Sequence, residues 1–306
     1  MAHIKSDRLE DALKRNPHLR RYLDEVRKKE GAVPTFVPQL TRDMKALPRP
    51  NILYPVGDPI FIHIYTDREG KKRYIAIEPR LREDEVEKFN AVMDMMLELA
   101  PYEKPPETEE EMNRLIDVLF DKCVETVEKR TAIKKSRFSL GLKKIPLTYE
   151  EVYTFRYLIK REVIGTGPLE PLIRDPFIED IHVIGPKNTH VVHKIFDMMP
   201  TNIDFGDDIA MAEYLKNIGE RIGRPVSERE PIVDGSLPDG SRINIIFSTD
   251  VSLKGPSFTI RKFTAVPISI TQLINFGTLN PEVAAYLWLC LEYGMSIWVS
   301  GETASG

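Results

Sequence analysis

Apolar positions along the chain recur in two periods, close to four residues and two residues, and each stretch predicts its own kind of element. Residues 6–30 (SDRLEDALKRNPHLRRYLDEVRKKE) read as two short charged helices broken at Pro17, followed by a linker punctuated by Pro34, Pro38, Pro48 and Pro50. The runs PIFIHIYTD and KKRYIAIEP around the Gly-containing turn DREGKK predict a β-hairpin. Helical spacing follows in 83–99 (Val86, Phe89, Met93, Met96, Leu97) and in 109–127 (Met112, Leu115, Leu119, Cys123, Val127). The second of these starts at a capping box, Thr108 with Glu111, and another box, Thr148 with Glu151, opens a helix carrying Val152, Phe155, Ile159 and Val163 on one face. Strands are expected at 179–184, 189–193, 231–237, 242–247 and 257–263, with a helix at 208–222 ending at Gly223. After a linker with a short helix, a helix at 281–292 leads into the apolar strand MSIWVS and then GETASG.

Strand and helix alternate without regular βαβ spacing, which predicts an α/β class chain whose sheets are mixed α+β rather than doubly wound. Between 129 and 149 there are seven basic residues and no acidic one (Lys129, Arg130, Lys134, Lys135, Arg137, Lys143, Lys144). A solvated linker at a domain boundary accounts for them more simply than an anionic-lipid or partner-binding patch. The expected organisation is a helical arm and Pro-rich linker over 1–50, a first α/β domain over 51–145, an α+β domain over 146–263, a linker over 264–281 and the start of another domain over 282–306.

Composition changes this picture little. With 42% hydrophobic residues and a formal charge of -4, the chain can bury sizeable cores and has no overall excess of charge to seek nucleic acid or a membrane. The N-terminal stretch has no apolar h-region and no window approaches ~18 uninterrupted apolar residues, so the expectation is a cytoplasmic chain. Cys123 and Cys290 lie in apolar helical patterns and are expected to be buried reduced thiols.

The candidate chemistry lies at 295–306. A buried strand followed by G-x-x-x-x-G, with Gly301 and Gly306 at the right spacing, matches the phosphate-binding loop up to its second glycine. Glycines are needed there because the backbone amides turn inward around the phosphates. Gly301, Glu302, Thr303, Ala304, Ser305 and Gly306 are therefore the expected nucleotide contacts. The lysine that would reach the phosphates and the hydroxyl that would hold Mg2+ are not in the sequence, so the expectation is a front portion of an ATPase, inactive alone.

The segments IGTGPLEPLIRDPFIEDIHVIGP, GRPVSEREPIVDGSLPDGSRINIIF, GPSFTIRKF and SGETASG occur in this order over residues 164–306. In this the chain resembles the secretion and type IV pilus assembly ATPases, the superfamily of type II secretion, pilus, archaellum and conjugation motors, and its archaeal branch above all. The resemblance implies that 282–306 begins a RecA-like P-loop core using ATP and Mg2+. It also implies a homohexameric ring at the cytoplasmic face of the membrane, docked to a polytopic membrane platform protein and acting indirectly on pilin-like subunits. By motif, Arg242 of DGSR and Arg261 of TIRKF, with Arg224 of GRP behind them, are the arginines expected to reach nucleotide. A guanidinium fork can neutralise the charge spread over a transferring phosphoryl group. Arg242 precedes Ile243 and Ile245, so the polar side of an edge strand is the competing account of it.

Other residues have plainer readings. His190 and His193 are three apart on one strand and face opposite sides, a poor arrangement for a shared metal. Asp204, Asp207 and Asp208 crowd a helix start, and Glu228 and Glu230 flank Arg229 in a solvated turn. No metal site is expected. The rival function is a non-catalytic module that binds a membrane platform; a nucleic-acid motor is disfavoured by the charge and by the lack of an aromatic-basic stripe.

Overall fold

A computed structural model describes residues 9–130, 144–247, 255–263, 269–275 and 277–301. The chain forms two compact units, one up to Lys262 and one from Phe263 onward.

The first unit begins with α1 (Leu9–Arg15) and α2 (Pro17–Glu30), separated where Pro17 forces a break. The buried Asn16 between them donates from Nδ2 to the Ala12 carbonyl and to Asp58, and accepts from Tyr153 Oη at 2.6 Å. Next come β1 (Thr35–Phe36), β2 (Asn51–Gly57), β3 (Ile60–Thr66) and β4 (Lys72–Ile77), which form one sheet in that order. The β3–β4 pair is the expected hairpin; β1 pairs parallel to β2 and the rest are antiparallel. One face of this sheet, with Leu53, Phe61 and Ile77, packs against Ala12, Leu19 and Leu23 of the helical arm. The other, with Ile52, Tyr54, Ile62, Ile64 and Tyr74, belongs to the main core.

Three helices form a separate apolar cluster: α3 (Val86–Leu99), α4 (Glu109–Cys123) and α5 (Tyr149–Val163). Both expected caps appear in part or whole. At α5, Thr148 and Glu151 satisfy each other's backbone amides in a full capping box. At α4, Thr108 accepts from the Glu111 amide, but the Glu111 carboxylate takes the Glu107 N–H instead. The helix expected to reach 127 stops at Cys123. There Val124–Val127 becomes β5, which pairs in parallel with β6 (Ile145–Thr148), because β-branched residues opposite a partner strand gain a ladder that a last helical turn does not offer. Of the basic stretch, residues 131–143 lie outside the described residues; the exposed Arg130 pairs with Asp84 and Glu85.

After the short α6 (Glu170–Arg174), six strands make an all-antiparallel sheet in the order β10 (Ile232–Ser236), β11 (Arg242–Ile246), β12 (Ser257–Arg261), β7 (Ile178–Ile184), β8 (Thr189–His193), β9 (Asp197–Pro200). Between β9 and β10 runs α7 (Asp208–Arg221), capped by Asp207 accepting from the Ala210 amide. The class is α/β with helices and mixed sheets, as expected. The two sheets meet at a parallel bridge between Tyr74 and Thr201, reinforced by the Asn202 side chain bonding both the amide and the carbonyl of Ala76.

The core between the sheets contains one polar knot. Asp175, fully buried, accepts from Tyr54 Oη at 2.6 Å and Tyr74 Oη at 2.8 Å, and from the Phe177 amide at 2.8 Å. Burial pushes its carboxyl up, yet every one of these contacts is a donor, the arrangement that suits a carboxylate. His193 accepts at Nδ1 from the Ile195 and Phe196 amides, so Nε2 carries the proton and donates to Tyr54 Oη.

The second unit contains α8 (Ile270–Asn275) and α9 (Pro281–Glu292), the latter capped by Asn280 accepting from the Val283 amide. Cys290 is buried, as is Cys123 in the first unit, and both are free thiols. The strand expected at MSIWVS is not formed: residues 295–301 carry no regular structure, and no strand lies beside them among the described residues of this unit to supply ladder hydrogen bonds. Trp288, Trp298 and Val299 are exposed.

Candidate functional site

The sheet register decides where the arginines go. Arg242 at the start of β11 stands directly opposite Arg261 at the end of β12, and Asn244 stands opposite Thr259. Across the next ladder Arg261 faces Asp180 and Thr259 faces His182 on β7. Alternate strand residues share a face. These six therefore lie on one side, while Ile243, Ile245, Phe258, Ile260, Ile181 and Val183 are buried on the other.

Arg224 joins them by a different route. Beyond α7 the chain turns at Gly223, with φ of 70°, and the Arg224 amide donates back to the Gly219 carbonyl at 2.8 Å. This return works because Gly219 has no side chain: a Cβ there would stand 2.8 Å from the Arg224 carbonyl oxygen and 3.1 Å from the Val226 nitrogen. A second bare position, Gly235 on β10, admits Ile222, whose Cδ1 would be 2.5 Å from an added Cβ.

The outcome is an open cleft of about 770 Å³ in which Arg224, Arg242 and Arg261 all line the wall. Two aspartates share it and both are engaged. Asp180 accepts from Arg261 Nε at 3.1 Å and raises the guanidinium's pKa further, while Asp234 accepts from Asn244 Nδ2 at 2.8 Å. Neither Arg224 nor Arg242 forms an ion pair among the described residues. His182 also faces in, its Nδ1 lying 3.4 Å from Thr259 Oγ1. Exposed guanidinium groups concentrated on one rigid sheet face can hold a polyanion through charge-assisted, two-pronged hydrogen bonds.

All three arginines chosen from the sequence thus fall in one cleft. Asp180, His182, Asp234 and Asn244 were not anticipated; the signal for them was the polar alternation of IEDIHVI, IVDGS and RINII. Of the expected loop contacts, Gly301 is an exposed residue of the second unit, and Glu302, Thr303, Ala304, Ser305 and Gly306 lie outside the described residues. His190 and His193 occupy opposite faces of β8, half-buried and buried respectively.

No protein-family model matches the chain. It is 58% identical over 301 residues to the uncharacterized protein MJ0900 of Methanocaldococcus jannaschii, which covers 97% of this chain and 55% of that relative. The chain therefore spans about half the length of MJ0900. It is 23% identical over 162 residues, 51% of this chain and 46% of the relative, to a Mycobacterium tuberculosis protein named "Putative conjugal transfer protein". Among solved structures it is similar to the VirB11 ATPase of the Brucella suis type IV secretion system, bound to sulphate, at 20% identity over 42% of each chain; the TM-score of 0.33 is too low to equate the folds. To the uncharacterized M. jannaschii protein MJ1288 it is 30% identical over 193 residues, 61% of this chain and 69% of that relative. At that identity and coverage, the chain belongs to the family of MJ1288.

Proposed function

We propose that the chain is the nucleotide-facing front portion of an ATP-hydrolysing secretion-type motor, of the archaeal secretion, pilus or archaellum kind. The observation that carries this reading is the convergence of Arg224, Arg242 and Arg261 in one cleft with no partner acid for two of them among the described residues. The ordered motifs support it, as does the similarity to a protein named for conjugal transfer. In this reading ATP and Mg2+ bind at a loop beginning with Gly301, the arginines of the cleft act on phosphate charge, and hydrolysis is coupled to movement. The motor works as a cytoplasmic homohexamer docked peripherally on a membrane platform protein, and passes its motion to pilin-like subunits. The chain's own arginines supply charge neutralisation; turnover also needs a loop lysine, a Mg2+ ligand and a hydrolytic acid.

Turnover tests this directly. Residues 1–306 alone are expected to hydrolyse no ATP above a buffer blank, and a polypeptide in which 1–306 runs on through a complete loop and ATPase core is expected to turn over. Hydrolysis by 1–306, or none by the longer polypeptide despite Mg2+ and ATP binding, contradicts the proposal.

A further inference from the structure

A second concavity, of about 380 Å³, lies between α2 and the β3 end of the four-stranded sheet, far from any residue of the arginine cleft in sequence. That volume is at the small end of the range for small-molecule sites. Its wall is aromatic and fixed in place. Tyr22 Oη donates to His63 Nδ1 at 2.7 Å, so the imidazole proton sits on Nε2, which donates to Asn51 Oδ1 at 2.8 Å. Burial lowers His63 to about 4, so the ring stays neutral and keeps this tautomer at neutral pH. His63 in turn stacks on Tyr65, with centroids 5.0 Å apart and planes at 28°.

The rim of the concavity is cationic and its lining holds an unanswered group. Arg49 and Lys29 line it against the single carboxylate of Glu25; Arg49 Nη2 donates to the Asp67 carbonyl at 3.3 Å, and neither cation forms an ion pair among the described residues. Thr66 Oγ1, also in the lining, is buried and has no hydrogen-bond partner among them. That oxygen has essentially no accessible surface, so it lies behind the wall, and the two cations at the rim are the groups open to a ligand.

We propose that this concavity binds a small aromatic carboxylate, its ring against Tyr65 and its anionic group between Arg49 and Lys29. One surplus positive charge and the limited volume select a compact monoanion over a polyphosphate. The test uses 4-fluorobenzoate as probe, observed by fluorine NMR line broadening with the full 306-residue chain. Its line is expected to broaden, and the neutral 4-fluorobenzyl alcohol is expected to bind at least about tenfold more weakly, the scale of one charge-assisted hydrogen bond. Arg49→Gln and Lys29→Gln are each expected to weaken the probe about tenfold, with the melting midpoint of each variant recorded beside it. Arg242→Ala is expected to leave it unchanged, which separates this site from the arginine cleft. Equal broadening by wild type, Arg49→Gln and Lys29→Gln overturns the proposal, as does loss of binding in Arg242→Ala instead, or no broadening at probe concentrations up to about 10 mM.

Discussion

Arg242 and Arg261 stand directly opposite one another on neighbouring antiparallel strands, two permanent positive charges in one rung of the sheet. Like charges in that position weaken a sheet. Asp180, on the far side of Arg261, partly offsets the pair. Replacing Arg242 by Thr, a good strand residue, is therefore expected to raise the melting midpoint of the chain slightly, on the order of 1 °C. The gain should shrink as salt rises from about 0.01 M to 1 M, because screening already relieves the repulsion. A fall in the midpoint at low salt shows that Arg242 holds the strand in place and that the pair is structural.

Arg224 depends on a close approach rather than on register. Gly219→Ala improves helix propensity by about 1 kcal/mol in isolation. In this fold the new Cβ meets the Arg224 carbonyl and the Val226 nitrogen, both backbone atoms that cannot rotate away. The net expectation is destabilisation of about 1–3 kcal/mol, the usual range for overpacking, read from urea unfolding. An unchanged or higher midpoint means that the return of the chain beneath Arg224 is looser than described.

Three buried histidines give the stability a defined pH dependence. Burial lowers His18 and His63 to about 4 and His193 to about 3, all from an ordinary value of 6.5. The unfolded chain thus binds more protons than the folded one between those values. The histidine contribution is complete above pH 6.5 and is lost as pH falls toward 4. Each group costs up to about 1.4 kcal/mol per pH unit within that window. Melting midpoints measured from pH 7 to pH 5 should fall steeply, and His63→Gln should flatten the slope. A midpoint independent of pH over that range contradicts the buried neutral assignment.

Much of the fold was readable because local chemistry and periodicity agreed. The capping box at Thr148 and Glu151, the Gly-containing turn before β4, and the alternation in β7, β11 and β12 each required one element and no tertiary knowledge. The misses have tertiary causes. β5 forms because β6 offers a parallel partner, Ile145 opposite Val124, so the last turn expected for α4 unwinds; Asp197–Pro200 is too short and too mixed in polarity to declare itself as β9. The arginines were individually legible from motif, but their convergence was not. It rests on strand register for Arg242 and Arg261 and on the side-chain-free Gly219 for Arg224.

The central claim is that the arginine cleft acts on phosphate, and Arg242 tests it most directly in a polypeptide carrying 1–306 with the complete loop and ATPase core. ATP turnover and nucleotide affinity are measured for wild type, Arg242→Ala and Arg242→Lys. The account predicts that Arg242→Ala binds ATP nearly as wild type but turns over about 10³-fold more slowly, the loss expected for an arginine that neutralises transition-state charge. Arg242→Lys should recover little, because an ammonium lacks the paired donors of a guanidinium. If Arg242→Ala hydrolyses ATP within a few-fold of wild type, the cleft is structural and the central claim is wrong.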